Sequence, residues 1–267
     1  MKICVVSGYT SSFESLAAIT APVQQYFATQ LGFEYQLFSL DFLTSWGIPA
    51  SWGKIPVMIR LLQEYDMLIW IDTDAIPTAL GLTEQSLNDY SAEIIKFMRD
   101  PHKGQALVCQ PNIVGLVPNY GIWWAKKSWV ENMILCLMNT SRIAKGFNAL
   151  WWEQTSFLDM MGFKGVAKHN AVARLGNPTY LFYQTYWLPQ HFNGRAVSPP
   201  YDESKNPISK DELSMFPEGH LVQLGGELRG ERAPYLYHHC GVPYRERIAA
   251  MQQHRAVVEA AGHAISR

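Results

Sequence analysis

The stretch Leu68-Ile69-Trp70-Ile71-Asp72-Thr73-Asp74-Ala75 decides how this chain is read. Four apolar residues run straight into two carboxylates spaced i, i+2. An apolar run bounded by a turn signal reads as a buried strand. Open α/β sheets bind their ligands beyond the carboxyl ends of such strands. Hard divalent cations are held by one or two carboxylates, with substrate phosphates completing the shell. Asp72 and Asp74 therefore predict a metal–diphosphate site. The plainer alternative is that they close a strand or cap the next helix.

Working outward, strands and helices alternate. Residues 2–7 and Phe33–Phe38 read as strands, and Leu16, Ile19, Val23, Tyr26 and Phe27 recur at helical spacing between Glu14 and Gln30. Ile55, Met58, Ile59 and Leu62 mark a helix face ahead of the 67–72 strand. Glu84–Arg99 is helical in pattern and stops at Asp100-Pro101. Ala106–Cys109 and Ile122–Trp124 read as strands, Trp129, Met133, Cys136 and Leu137 as a helix face, and 153–161 as another helix. Pro234–His239 is extended and 244–262 a terminal helix. This order predicts an α/β fold with a mostly parallel sheet flanked by helices. Residues 189–234, with Ser198-Pro199-Pro200, Asn206-Pro207 and Gly225-Gly226, break the pattern and read as a functional loop or lid inside one 1–267 domain.

Composition narrows the class. The 267 residues are 48% hydrophobic and carry a formal net charge of -1, so a large core can be buried and no basic patch points to nucleic acid. The four cysteines form no CxxC pair, which suits reduced thiols in a cytoplasmic setting. The first apolar run, Ile3-Cys4-Val5-Val6, is too short for a signal peptide, and no stretch reaches the roughly 18 apolar residues of a membrane span.

Upstream of the carboxylates lies Trp52-Gly53-Lys54-Ile55-Pro56-Val57-Met58-Ile59-Arg60, with Tyr65-Asp66 just before the strand. A W-x-K-[IV]-P-x-x-[IL]-R segment followed by a strand ending in W-[IML]-D-x-D resembles the galactosyl-, xylosyl- and α-mannosyltransferase family (glycosyltransferase family 34). The resemblance implies a GT-A fold, a nucleotide-diphosphate sugar donor (UDP- or GDP-sugar), a saccharide or other hydroxyl acceptor, Mn²⁺ or Mg²⁺, and retention of anomeric configuration. Asn119-Tyr120-Gly121-Ile122 resembles the family's donor-sugar strand, and Glu153-Gln154 its acidic-plus-Gln pair beside the anomeric carbon. His238-His239-Cys240-Gly241 resembles the late segment whose first His completes the metal shell. Asp72, Thr73, Asn119 and Gly241 are thereby placed at the donor, and Asp72, Asp74 and His238 at the metal. His239 and Glu153 depart from the family pattern, and either histidine of the pair is a possible ligand.

Chemistry gives these residues work. A divalent cation stabilises the charge that develops on a departing diphosphate, and an imidazole beside carboxylates suits Mn²⁺. Lys54 is expected either to face the site or to be a solvated surface charge. Arg60, on a different helix face, is expected to pair with an acidic neighbour. The amides of Asn119 and Gln154 offer donor and acceptor to sugar hydroxyls, although Asn119 also reads as a turn residue after Pro118. Glu153 is the catalytic carboxylate, acting either as nucleophile or as a stabiliser of oxocarbenium-like charge during front-face attack. One or two of Trp123, Trp124, Trp151 and Trp152 are expected to meet saccharide, the rest core. Backbone groups of Val6 and Ser7, with Tyr9 and Thr10 after Gly8, are expected at the nucleotide base by analogy to the fold. A haloacid-dehalogenase-type phosphohydrolase is the main rival, but Ile76 stands where it would carry Thr or Val, and no later G-D-x-x-x-D segment exists. A catalytically silent carbohydrate-binding protein is the other.

Overall fold

The computed structural model describes residues 1–112, 115–149, 151–165, 174–189, 192, 194–195, 235–239 and 243–265. The chain opens with strand β1 (Ile3–Tyr9), helix α1 (Glu14–Gln30), β2 (Glu34–Ser39), α2 (Lys54–Leu61) and β3 (Met67–Ile71). β4 (Ala75–Pro77), α3 (Glu84–Arg99), β5 (Gln105–Asn112) and β6 (Gly115–Lys126) follow. Then come α4 (Val130–Met138), α5 (Glu153–Met161), β7 (Phe163–Lys164), β8 (Arg174–Leu175), α6 (Tyr180–Tyr183) and β9 (Thr185–Trp187). β10 (Gly194–Arg195), β11 (Leu236–His238) and α7 (Tyr244–Ala260) complete the order.

The central sheet runs β2-β1-β3-β6-β5-β9. β1 pairs parallel with β2 and β3, β5 pairs parallel with β9, and β6 lies antiparallel between β3 and β5. The apolar runs of β1 and β3 explain their central place, because both faces of a parallel strand are covered and every residue of β3 is buried. Cores lie on both faces of the sheet. One gathers Trp52, Trp70, Trp123, Trp129 and Phe157, with α2, α4 and α5. The other gathers Phe27, Ile69, Tyr90, Phe97 and Trp124, with α1, α3 and α7. Successive strand residues point to opposite faces, so the Trp123-Trp124 doublet is split between the two cores and both rings are buried.

α1 carries Pro22 in its interior. Proline has no N–H for the carbonyl four residues earlier, and the Ala18 oxygen instead accepts from Arg255 Nη1 of α7 at 3.3 Å. The expected Ile122–Trp124 strand is the carboxyl half of the longer β6. Its register against β5 jumps from Leu107↔Trp123 to Val108↔Asn119, so Tyr120, Gly121 and Ile122 bulge. Bulges locally re-aim a strand, and this one turns Gly121 toward the end of β3. A smaller sheet, β10-β11-β4, sets His238 opposite Ala75, one residue past Asp74.

Of the irregular 189–234 segment, Phe192 packs into the second core and Gly194–Arg195 forms β10; most of its length, including the proposed lid role, falls outside the described residues. Among the described residues no helix is long and apolar enough to cross a membrane.

Candidate active site

The carboxylate turn begins where β3 ends. Asp72 N–H donates to the Gly121 carbonyl at 2.7 Å, and Ala75 N–H closes back on the Asp72 carbonyl at 2.9 Å. Buried carbonyls need partners, and α1 supplies them. Thr20 Oγ1 donates to Thr73 O at 2.9 Å, and Gln24 Nε2 to Asp72 O at 3.1 Å and Ala75 O at 2.8 Å. The Thr73 hydroxyl donates to the Gly8 carbonyl, tying the turn to the end of β1. With its backbone held from below, the turn leaves both carboxylates for the site.

His238 arrives on β11. Its Nε2 stands 3.2 Å from Asp74 Oδ1 and 3.7 Å from Asp72 Oδ2. The ring lies against Gly121, where an added Cβ would come within 2.0 Å of His238 Cε1. One ligand atom each from Asp72, Asp74 and His238 lies within 4.8 Å of the others. Two carboxylate oxygens and an imidazole nitrogen, the imidazole seated where only a glycine gives it room, fit a divalent transition ion. His239 faces elsewhere. Its N–H donates to the Asp74 carbonyl at 2.8 Å, and its buried ring packs 5.3 Å from that of His254. Burial, with His254 beside it, lowers the His239 imidazole to about 4.

Lys54 opens α2 and is buried beneath this group. Its ammonium contacts Glu153 Oε1 at 2.8 Å, Asp72 Oδ1 at 3.1 Å and the Tyr120 carbonyl at 3.3 Å. Burial works against this charge, but Asp72 and Glu153 outweigh it and hold the pKa above the ordinary lysine value. Asp72 Oδ1 also accepts from Trp70 Nε1 at 2.6 Å. Glu153, the first residue of α5, is only 4% exposed, and burial raises its pKa despite Lys54. Its Oε2 is buried with no hydrogen-bond partner among the described residues. Asp74 has a different neighbour. Arg247 of α7 contacts its Oδ2 at 2.9 Å. Burial pushes the Asp74 carboxyl up, but His238 and Arg247 together bring it down to about 2.

The remaining expected residues are distributed as follows. Gln154 Oε1 lies 3.5 Å from Tyr120 N–H, and Asn119 Oδ1 accepts from Gly121 N–H at 2.8 Å. Asn119 thus lies in strand β6, at the edge of the bulge, and not in a turn. Val6 and Ser7 are buried within β1, with Val6 in register with both Gln36 and Trp70, so the backbone of Val6 is engaged in the sheet. Tyr9 and Thr10 stand half-exposed just beyond. Gly241 lies outside the described residues. Arg60 has no acidic neighbour among the described residues; its guanidinium sits 5.2 Å over the Phe38 ring. Of the tryptophan doublets only Trp152 is exposed, at φ +49° immediately before Glu153.

Thr20, Gln24 and Arg247 are the contributors that motif reasoning missed, and Trp70, though part of the motif, was given no role there. Thr20 and Gln24 carry a readable signal, two polar residues at i, i+4 on an otherwise apolar helix face. Arg247 carries none, being 173 residues from its partner.

Solved structures share this architecture. A glycosyltransferase involved in the glycosylation of the major capsid of PBCV-1 superposes with a TM-score of 0.55 at 14% identity, over 95% of this chain and 100% of that one. The apo-form glycosyltransferase GlyE of Streptococcus pneumoniae TIGR4 gives 0.51 at 12% identity, over 97% of this chain and 63% of that one. No protein-family model matches the sequence, and no curated protein does. At such identities the fold is what is shared, and it is the GT-A-like glycosyltransferase arrangement of a mainly parallel sheet flanked by helices.

Proposed function

We propose that this chain is a metal-dependent, retaining glycosyltransferase, a single domain moving a sugar from a UDP- or GDP-sugar to a hydroxyl of a saccharide or other acceptor. One observation carries the reading: Asp72, Asp74 and His238, from two distant parts of the chain, converge within 4.8 Å at the carboxyl end of the sheet, beside the Lys54–Glu153 pair. Asp72, Asp74 and His238 would hold Mn²⁺ or Mg²⁺, which when bound supplies Lewis-acid stabilisation of a leaving diphosphate. The imidazole favours Mn²⁺.

The chain's own groups then have distinct tasks. Lys54 holds Asp72 and Glu153 in place while contributing positive charge beneath the donor. Glu153 Oε2, buried without a partner among the described residues, is an atom that a substrate hydroxyl would satisfy, since orphaned buried acceptors are rare and costly. With Oε1 held by Lys54, and Asp72 engaged by both Lys54 and Trp70, no second carboxylate among the described residues presents itself as a nucleophile. Front-face attack, with Glu153 stabilising positive charge at the anomeric carbon, fits this arrangement better than a covalent intermediate. Gln154 and Asn119 are the amides assigned to sugar hydroxyls, and Tyr9 and Thr10 the residues assigned to the nucleotide. Cys4, Cys109 and Cys136 are free and buried, which supports a reducing, cytoplasmic setting.

A thermal-shift panel of UDP- and GDP-sugars with and without Mn²⁺ tests the donor class, because a ligand stabilises only what binds it. Asp74→Asn is expected to cut metal-dependent nucleotide release by about 10³-fold, roughly 4 kcal/mol, with the fold retained. Undiminished turnover in that variant would overturn the metal role, and phosphate release from simple monoesters would favour the hydrolase.

A further inference from the structure

We infer that Arg247 sets the loading order of the site: by counterbalancing Asp74 it keeps the dication weakly held until a nucleoside diphosphate arrives. The inference rests on the metal reading above and adds a residue that no motif predicts. Asp74 divides its two oxygens, Oδ1 facing His238 at 3.2 Å and Oδ2 bound by Arg247 at 2.9 Å. This is not a loose surface pair, since the two side chains are 14% and 15% exposed. The guanidinium is also braced from the short turn that precedes α1, 5.7 Å over the Phe13 ring. Phe13 in turn packs edge-on to Tyr244, three residues before Arg247 on the same helix, at 5.2 Å.

The formal charges explain the consequence. Among the described residues Lys54 pairs with Asp72 and Glu153, and Arg247 with Asp74, the two groups meeting at His238; counted formally with a neutral imidazole, these side chains leave a single negative charge. A dication entering that group alone leaves excess positive charge in a partly buried site, where Coulomb terms are only weakly screened. A diphosphate entering with it restores the balance. Without Arg247 the site would carry two negative charges, matching the bare ion. Arg247 thus acts as a positioning and charge-setting residue, working through Asp74, and it favours entry of ion and diphosphate as one unit.

The test is a titration of the intact chain with Mn²⁺ alone, free ion being read by electron paramagnetic resonance at low ionic strength, where screening is least. Arg247→Met is expected to bind Mn²⁺ about tenfold more tightly than the wild type, an order of magnitude set by the removed charge. Arg247→Lys should remain within about threefold of the wild type, since the charge persists. Weaker or unchanged binding in Arg247→Met overturns the inference, weaker binding meaning that the arginine only orients Asp74. If Arg247→Met does not fold, the wild type still decides. Mn²⁺ at a concentration that gives a full thermal shift with UDP or GDP should give little shift alone, and a full shift from the ion alone overturns the proposal. An Asp74→Asn control separates the two readings: Mn²⁺ binding that survives it means the ion lies elsewhere, and both the metal site and the role of Arg247 fall.

Discussion

The two halves of the carboxylate turn are built differently. Asp72 belongs to an inner half whose cation, Lys54, lies 18 residues upstream on the preceding helix and is 4% exposed at its side chain. Asp74 belongs to an outer half whose partners, His238 and Arg247, come from the far end of the chain; Arg247 is 14% exposed, more than Lys54, whereas Asp74 at 15% is less exposed than Asp72 at 28%. The inner half turns on a buried cation from the adjoining helix; the outer half is assembled over long range around a cation that keeps some access to water. Charges locked away from water contribute to holding the fold together, whereas charges at a rim can exchange partners. The site therefore separates a fixed foundation from a working edge.

Substitutions can break or sharpen this contrast. Lys54→Met should have the largest effect on stability, about 3–5 kcal/mol, because it strands Glu153 and part of Asp72 without their buried cation. Chemical denaturation would reveal it, and a loss below about 1 kcal/mol would show that the inner half is no foundation. Gly121→Ala acts on the outer half. The new methyl meets the His238 ring at 2.0 Å, and relieving such overpacking costs about 1–3 kcal/mol. The expected readout is weaker Mn²⁺ binding with a smaller change in melting, and unaltered ion affinity would show that the imidazole does not matter to it. Thr73→Val removes only the bond to the Gly8 carbonyl and should cost about 1 kcal/mol of stability. A greater loss would mean that the turn depends on β1 more than on α1.

Much of this was legible before any coordinates, for physical reasons that differ by element. β1 and β3 announce themselves because buried parallel strands are apolar throughout, and α1 and α3 because their core faces repeat at helical spacing. The block from Trp52 to Asp74 places Lys54 and Asp72 together because a helix–strand unit of that length has few ways to fold. The β6 bulge was not legible, since nothing in Asn119-Tyr120-Gly121 distinguishes a turn from a strand that swells against its neighbour. Trp123 and Trp124 look like sugar platforms as a doublet, yet strand alternation sends one to each core. Arg60 illustrates another limit: a cation's partner need not be an anion, and the Phe38 ring serves. Arg247 was invisible because tertiary pairing over so long a separation leaves no local pattern.

The proline within α1 has a consequence for timing. By leaving the Ala18 oxygen to Arg255, it gives the last helix a latch on the first, and that last helix is the one that delivers Arg247 to Asp74. During synthesis the inner cluster can form early, but the rim must wait for α7 to emerge and dock. A nascent chain thus acquires its foundation well before its working edge, and a half-made copy lacks both His238 and Arg247.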